Sequence, residues 1–190
     1  MDDSPSTVFS SGLDGLRVEA LPGAQVASLR YFDRAGSFGG VLQQALGQPL
    51  PQPQRATLTA AGDAAASLLA WRSPTETLLL CSGAAALAEL GQRLAGAVDG
   101  CMVDQTGGIC VLRVQGGRAG ELLQRLGAMS AIPGLGEARG GRLAEVHVLT
   151  VCVQRAEYLL FVERVYAAHL IEWIRLTLAD LPYGLSQPLV

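Results

Sequence analysis

Val103-Asp-Gln-Thr-Gly-Gly-Ile-Cys-Val-Leu-Arg-Val-Gln-Gly116, running on as Gly117-Arg-Ala-Gly-Glu-Leu-Leu-Gln-Arg-Leu126, contains the unit from which the rest of this chain is built. Gly107 and Gly108 permit a tight turn. Ile109 to Val114 follows as a short apolar, β-branched run with Arg113 as its one charge, the pattern of a strand with a buried face. Gly116 and Gly117 break it, and the period then changes. Leu122, Leu123 and Leu126 share one helical face, while Arg118, Glu121, Gln124 and Arg125 share the other. Glu121 stands four residues before Arg125, an orientation worth about 0.2–0.5 kcal/mol.

The same strand–break–helix order recurs. Ala24 to Phe32 reads as a strand and residues 39–47 as a helix closed by Gly47. Residues 56–70 and 77–81 read as strands, with turn signals at Gly62-Asp63 and Trp71–Glu76. Residues 83–98 then carry Leu87, Leu90, Leu94 and Val98 on one helical face. Downstream, strand 109–115, helix 117–127, strands 143–154 and 157–162 and helix 164–179 repeat that order, offset by roughly eighty residues. Each half has a turn ending in glutamate (Glu76, Glu157) just before an apolar strand. Gln48–Gln54, with its alternate prolines, and Gly-rich Ala128–Gly141 read as loops. The sequence predicts an α+β fold of duplicated β-α-β-β-α halves. These pseudo-repeats, about 24–98 and 103–180, would pack as one domain over 16–190 behind a flexible N-terminal arm, 1–15.

Of 190 residues, 49% are hydrophobic and only 16% charged, against an ordinary charged share of about a quarter. A surface so poor in charge predicts burial against another chain, although a chain merely rich in Ala and Gly would read the same way. The last helix is apolar on a broad arc (Ala167, Leu170, Ile171, Ile174, Leu178). Trp71, Tyr166 and Trp173 are the candidate interface anchors. Net charge is −3, the basic residues are all arginine, and no Arg cluster interleaves with aromatics, which argues against nucleic acid. The start, Met-Asp-Asp-Ser-Pro-Ser-Thr, is acidic and polar, and no apolar run approaches the ~20 residues that span a bilayer. The expectation is a soluble, cytoplasmic chain without a membrane role. Cys81, Cys101, Cys110 and Cys152 are widely spaced and read as small core residues in a reducing compartment.

Catalytic constellations are missing from the sequence. His147 lies mid-strand and reads as packed or hydrogen-bonded; His169 sits three residues before Glu172, suiting an exposed contact between them. With two histidines in all, a metal site is not expected. Gly134-Leu-Gly-Glu-Ala-Arg-Gly140 has the wrong spacing and context for a phosphate loop. Ser73, Ser82 and Ser130 have no triad partners, and Cys110 has no cationic helix terminus to activate it. Asp104, at a glycine turn ahead of a core strand, is the weak candidate for cofactor or ligand binding. It reads either as an Asx-turn cap or as a polar contact facing a cleft. No catalytic residue is assigned.

Trp71-Arg-Ser-Pro-Thr-Glu-Thr-Leu-Leu-Leu80, the Val103–Gly116 stretch and the later Leu143-Ala-Glu-Val-His-Val148 together resemble the gamma subunit of heterotetrameric sarcosine oxidase, over roughly residues 55–180. The resemblance implies a fold similar to the folate-binding domain of aminomethyltransferases such as the glycine-cleavage T-protein, and to the N-terminal domain of a tRNA-modifying GTPase. It implies alpha, beta and delta subunits as partners, with flavins and NAD on alpha and beta, tetrahydrofolate received by alpha and zinc on delta. No cofactor is then expected on this chain, whose role would be non-catalytic support of the oxidative demethylation of sarcosine. The Gln/Pro loop at 48–54 and the Ser-rich arm depart from the family pattern and leave another N-methyl amine open as substrate. The alternative is a stand-alone folate-binding or one-carbon-carrier module.

Overall fold

A computed structural model describes residues 15–59 and 67–181 and the backbone of 6–10. Most of the expected N-terminal arm and the expected Gly62-Asp63 turn lie outside the described residues. Within the arm, Ser6–Ser10 forms a strand, β1, rather than flexible chain.

The first half comprises β2 (Arg17–Ala20), β3 (Gln25–Tyr31), α1 (Ser37–Leu46), β4 (Ala56–Leu58), β5 (Ser67–Ser73), β6 (Glu76–Cys81) and α2 (Ala84–Leu94). The second comprises β7 (Gly100–Asp104), β8 (Ile109–Gln115), α3 (Ala119–Leu126), β9 (Ala138–Leu143), β10 (Val146–Gln154), β11 (Glu157–Glu163) and α4 (Arg164–Asp180). The predicted duplication stands, but each half is β-β-α-β-β-β-α. The extra strands were hidden for local reasons. The expected loop 128–141 contains a 3-10 turn, Met129–Ala131, and the start of β9. The expected single strand 143–154 is interrupted by a two-residue hairpin turn at Ala144 and Glu145, both at positive φ (49° and 66°).

Two antiparallel sheets result. One runs β1-β2-β8-β11-β10-β9 and the other β4-β5-β6-β3-β7. The core of each half, β9-β10-β11-β8 and β4-β5-β6-β3, has the same order, and each half sends its leading strand to the other half's sheet. β2 pairs with β8, and β7 pairs with β3. The repeats are therefore interlocked and cannot part without breaking both ladders. Gly116 shows how tightly β2 is led in. Its φ is +125°, and a Cβ there would sit 2.6 Å from Leu16 Cα.

Period-2 alternation divides each strand between two layers. On β8, Leu112 and Val114 face α3 and α4, where Leu122, Leu123, Leu126, Leu170 and Ile174 close a buried core. Val111 and Ile109 face the other sheet, meeting Leu149, Val151, Leu159 and Phe161 of their own sheet and Val26, Leu68 and Leu78 of the second. Ala27, Leu29, Leu69 and Leu79 turn outward under α1 and α2. The order of layers is helices, sheet, sheet, helices. Each fully buried Leu or Phe removed from water contributes about 1.5–3 kcal/mol, which is why three such layers hold a chain so poor in charge.

Candidate functional site

Asp104 closes β7, and the turn it opens ties the molecule together. Its carboxylate accepts the N–H of Thr106 at 2.8 Å, which makes an Asx turn. The Gln105 carbonyl accepts the N–H groups of Gly108 and Ile109, both at 2.9 Å. Thr106 Oγ1 accepts the buried N–H of Val26 on β3 at 3.1 Å, and the Val26 carbonyl accepts from Gln105 at 2.8 Å. From below, Arg164 at the start of α4 donates Nε to the Gly107 carbonyl at 2.7 Å and Nη2 to the Thr106 carbonyl at 3.2 Å. This turn joins β3, β7, β8 and α4. Arg164 was not legible as a participant, because its partners lie 57 and 58 residues away along the chain.

Next to the turn, the sheets part into a cleft. One portion, about 470 Å³, has a floor of Leu78, Ile109 and Phe161 and a rim that includes Arg72, Arg142 and His147. It continues into a second portion of about 460 Å³ lined by Gln105, Gly107, Gly108, Arg30, Arg72 and Arg164. Asp104 lines neither portion; its neighbours in the turn do. His147, expected to be packed or hydrogen-bonded, is exposed on this rim, one residue before the β10–β11 pairing begins at Val148. Glu76 draws the rim's charge inward. It accepts from the buried Ser28 hydroxyl at 2.5 Å and lies 3.3 Å from Arg72 and 3.9 Å from Arg30. At the opposite end Arg113 on β8 pairs with Glu157 at 3.3 Å. In each sheet, then, an arginine of the strand paired with the hairpin, Arg30 on β3 and Arg113 on β8, meets the glutamate that begins the hairpin's return strand.

The remaining residues singled out by chemistry are engaged elsewhere. Backbone amides of the Gly134–Gly140 stretch are committed internally: Gly134 N–H to Glu137 Oε2 at 3.1 Å, Gly136 N–H to the Cys152 carbonyl at 2.9 Å. With those donors used, the stretch offers no phosphate cradle. Gly134 N–H and then Arg139 hold the Glu137 carboxyl below its ordinary value. Burial pushes the thiols of Cys81, Cys110 and Cys152 up, away from the nucleophilic thiolate. Cys101 departs from the expectation and is exposed on β7. His169 does not meet Glu172, which pairs with Arg175 at 2.6 Å. Instead its Nε2 lies 3.0 Å from the Ala144 carbonyl and its ring tilts against Trp173. Among the described residues no group of three His, Cys, Asp or Glu side chains gathers to hold a metal, and no helix is long and apolar enough to cross a membrane.

The outer surface of α4 is unusual. Ala167, Leu170 and Ile174 face the core, while Tyr166 and Trp173, each 48% exposed and two turns apart, share one flank, and Val165 and Leu176 are exposed on the outer face with the Glu172–Arg175 ion pair. Of the three expected anchors, Tyr166 and Trp173 thus share a surface. Trp71, half-buried on β5, lies on the other sheet.

A model of the sarcosine oxidase gamma subunit family matches residues 33–180. No curated protein matches. Among solved structures, the fold is similar to heterotetrameric sarcosine oxidase from Corynebacterium sp. U-96 in complex with pyrrole 2-carboxylate. That match has 19% identity and a TM-score of 0.78 and covers 96% of this chain and 91% of that one. Glycine cleavage system aminomethyltransferase T from Bartonella henselae matches at 15% identity and TM-score 0.62, over 82% of this chain and 44% of that one. The predicted α+β duplication similar to aminomethyltransferases is thus the fold observed. With the family match spanning most of the length, the chain belongs to the sarcosine oxidase gamma subunit family.

Proposed function

We propose that the chain is a non-catalytic assembly subunit of a heterotetrameric sarcosine oxidase, working in the cytoplasm with alpha, beta and delta subunits. The enzyme it serves would oxidatively demethylate sarcosine to glycine, pass the one-carbon unit to tetrahydrofolate and release hydrogen peroxide. Flavins, NAD, tetrahydrofolate and zinc would sit on the partners. Support comes from family membership, and the observation that carries the reading is the exposed aromatic flank of α4. A helix that already buries one face but leaves Tyr166 and Trp173 half-exposed beside it, with Leu176 also exposed, is built to be covered. Purification of the tagged chain from its native cells tests this. The expected result is three further chains in fixed ratio with flavin absorbance, and loss of those chains from a Tyr166→Ala/Trp173→Ala variant. A chain that purifies alone, or a double variant that keeps its partners, contradicts it.

One observation favours the alternative of a folate-binding or one-carbon-carrier module. The cleft between the sheets has an apolar floor, an Arg/His rim and the volume of a small-ligand site. Calorimetry with tetrahydrofolate on the isolated chain separates the two readings: saturable binding supports the module, and no heat supports the assembly subunit.

A further inference from the structure

The duplication exposes an asymmetry at the sheet edges. β2 and β7 are counterparts, each donated to the other half's sheet. On the six-stranded sheet, the outer edge of β2 is covered by β1, paired antiparallel. On the five-stranded sheet, β7 is terminal and nothing among the described residues takes the position of β1.

The other ends of the sheets are protected. β4 is three residues long and β9 carries Arg139 and Arg142. The two are also stitched together, Ala56 N–H to the Gly136 carbonyl and Ala138 N–H to the Gln54 carbonyl, both at 3.0 Å. β7 has none of these devices. Gly-Cys-Met-Val-Asp carries no Lys, Arg or Pro, and its single charge lies at its last residue.

Register shows which groups the edge offers. β7 pairs with β3 through Arg30↔Cys101 and Ser28↔Val103, in phase with the bonds from Phe32 N–H to the Asp99 carbonyl and from Gln105 N–H to the Val26 carbonyl. By the alternation of an antiparallel ladder, the N–H and C=O groups of Gly100, Met102 and Asp104 point outward. Beside them Phe32 is 90% exposed and Val98 92%, and with Cys101, Gly100, Thr75 and the Arg30–Glu76 ion pair they border a hollow of about 590 Å³; Val103 is also exposed. An edge with free backbone donors and acceptors next to side-chain hollows is the arrangement that takes an added strand.

We infer that the β7 edge receives an extended, uncharged segment of about five residues from another subunit. The segment pairs antiparallel in the place that β1 holds on the opposite sheet and sets an apolar side chain against Phe32 and Val98. The inference rests on the assembly reading for the source of the strand, and on the internal repeat for its place and direction. It uses a surface distinct from the aromatic flank of α4.

Hydrogen exchange on the full chain, isolated and within the complex purified from native cells, tests it. In the complex, the amides of Gly100, Met102 and Asp104 are expected to exchange about tenfold or more slowly than in the isolated chain. A Val103→Lys/Phe32→Lys variant, altered only at exposed positions, is expected to keep its melting temperature and lose that protection. If the complex forms and those amides exchange equally fast in both states, the strand-addition proposal is overturned while the assembly reading stands. Protection already present in the isolated chain, with the mass of a dimer, overturns the assignment to a different subunit. A chain that purifies with no partner overturns the assembly reading, and with it the source of the strand.

Discussion

Thr106→Val removes the one hydroxyl that joins the two sheets at the central turn. The replacement is nearly isosteric, so packing is kept and only hydrogen bonding changes. In the wild type, Thr106 Oγ1 accepts from Val26 N–H at 3.1 Å, and Val26 is fully buried. The variant leaves that amide without an acceptor or access to water, which costs about 1–3 kcal/mol. For a chain of this length each kcal/mol lowers the melting temperature by about 2–4 °C, so the expected fall is about 2–12 °C by calorimetry. Thr106→Ser keeps the hydroxyl and deletes a methyl group worth at most about 0.8 kcal/mol. The pair of variants separates a hydrogen-bond effect from a packing effect. A Thr106→Val protein that melts within 1 °C of wild type, or a serine variant that melts lower than the valine one, refutes the role given to this turn.

Further outcomes follow from the same geometry. Leu123→Ala opens a cavity between α3 and the six-stranded sheet, where Leu123 is fully buried, and is expected to cost about 2–5 kcal/mol in urea unfolding. Glu137 is held below its ordinary value near 4.5 by Gly134 N–H, Arg139 and Arg55. The unfolded chain therefore takes up this proton first as pH falls. Its contribution is present above pH ~4.5 and lost below it, so Glu137→Gln should flatten the acid limb of the urea midpoint measured from pH 6 to 3. Alkylation followed by mass spectrometry should modify exposed Cys101 in the native protein, and Cys81 and Cys152 only after unfolding. Equal native rates would contradict the burial assigned to them.

Much of the fold was legible because its central elements announce themselves by period. The strand at 109–115, the helix after it and the long final helix carry unmixed patterns over seven residues or more. β2 and β7 were not legible, being four and five residues of mixed polarity. Nor can any local pattern show that each leaves its own half, since strand pairing is decided by closure of the whole structure. β9 was hidden by Arg-Gly-Gly-Arg, a composition that reads as loop until its partner β10 is in place. The Asp104 turn was recognised as a cap or a ligand contact, and the structure shows the cap hydrogen bond. Its partner Arg164 carried no signal along the chain. His147 was read as packed or hydrogen-bonded from its place mid-strand, whereas it is exposed near the start of β10, one residue before the pairing with β11 begins.

The proposal that this chain performs its work only in company is tested most directly by oxygen consumption with sarcosine, run on the isolated chain and on the chain recombined with the partners that co-purify with it. No consumption is expected from the chain alone and full consumption on recombination. Sarcosine-dependent oxygen uptake by the isolated chain would contradict the proposal.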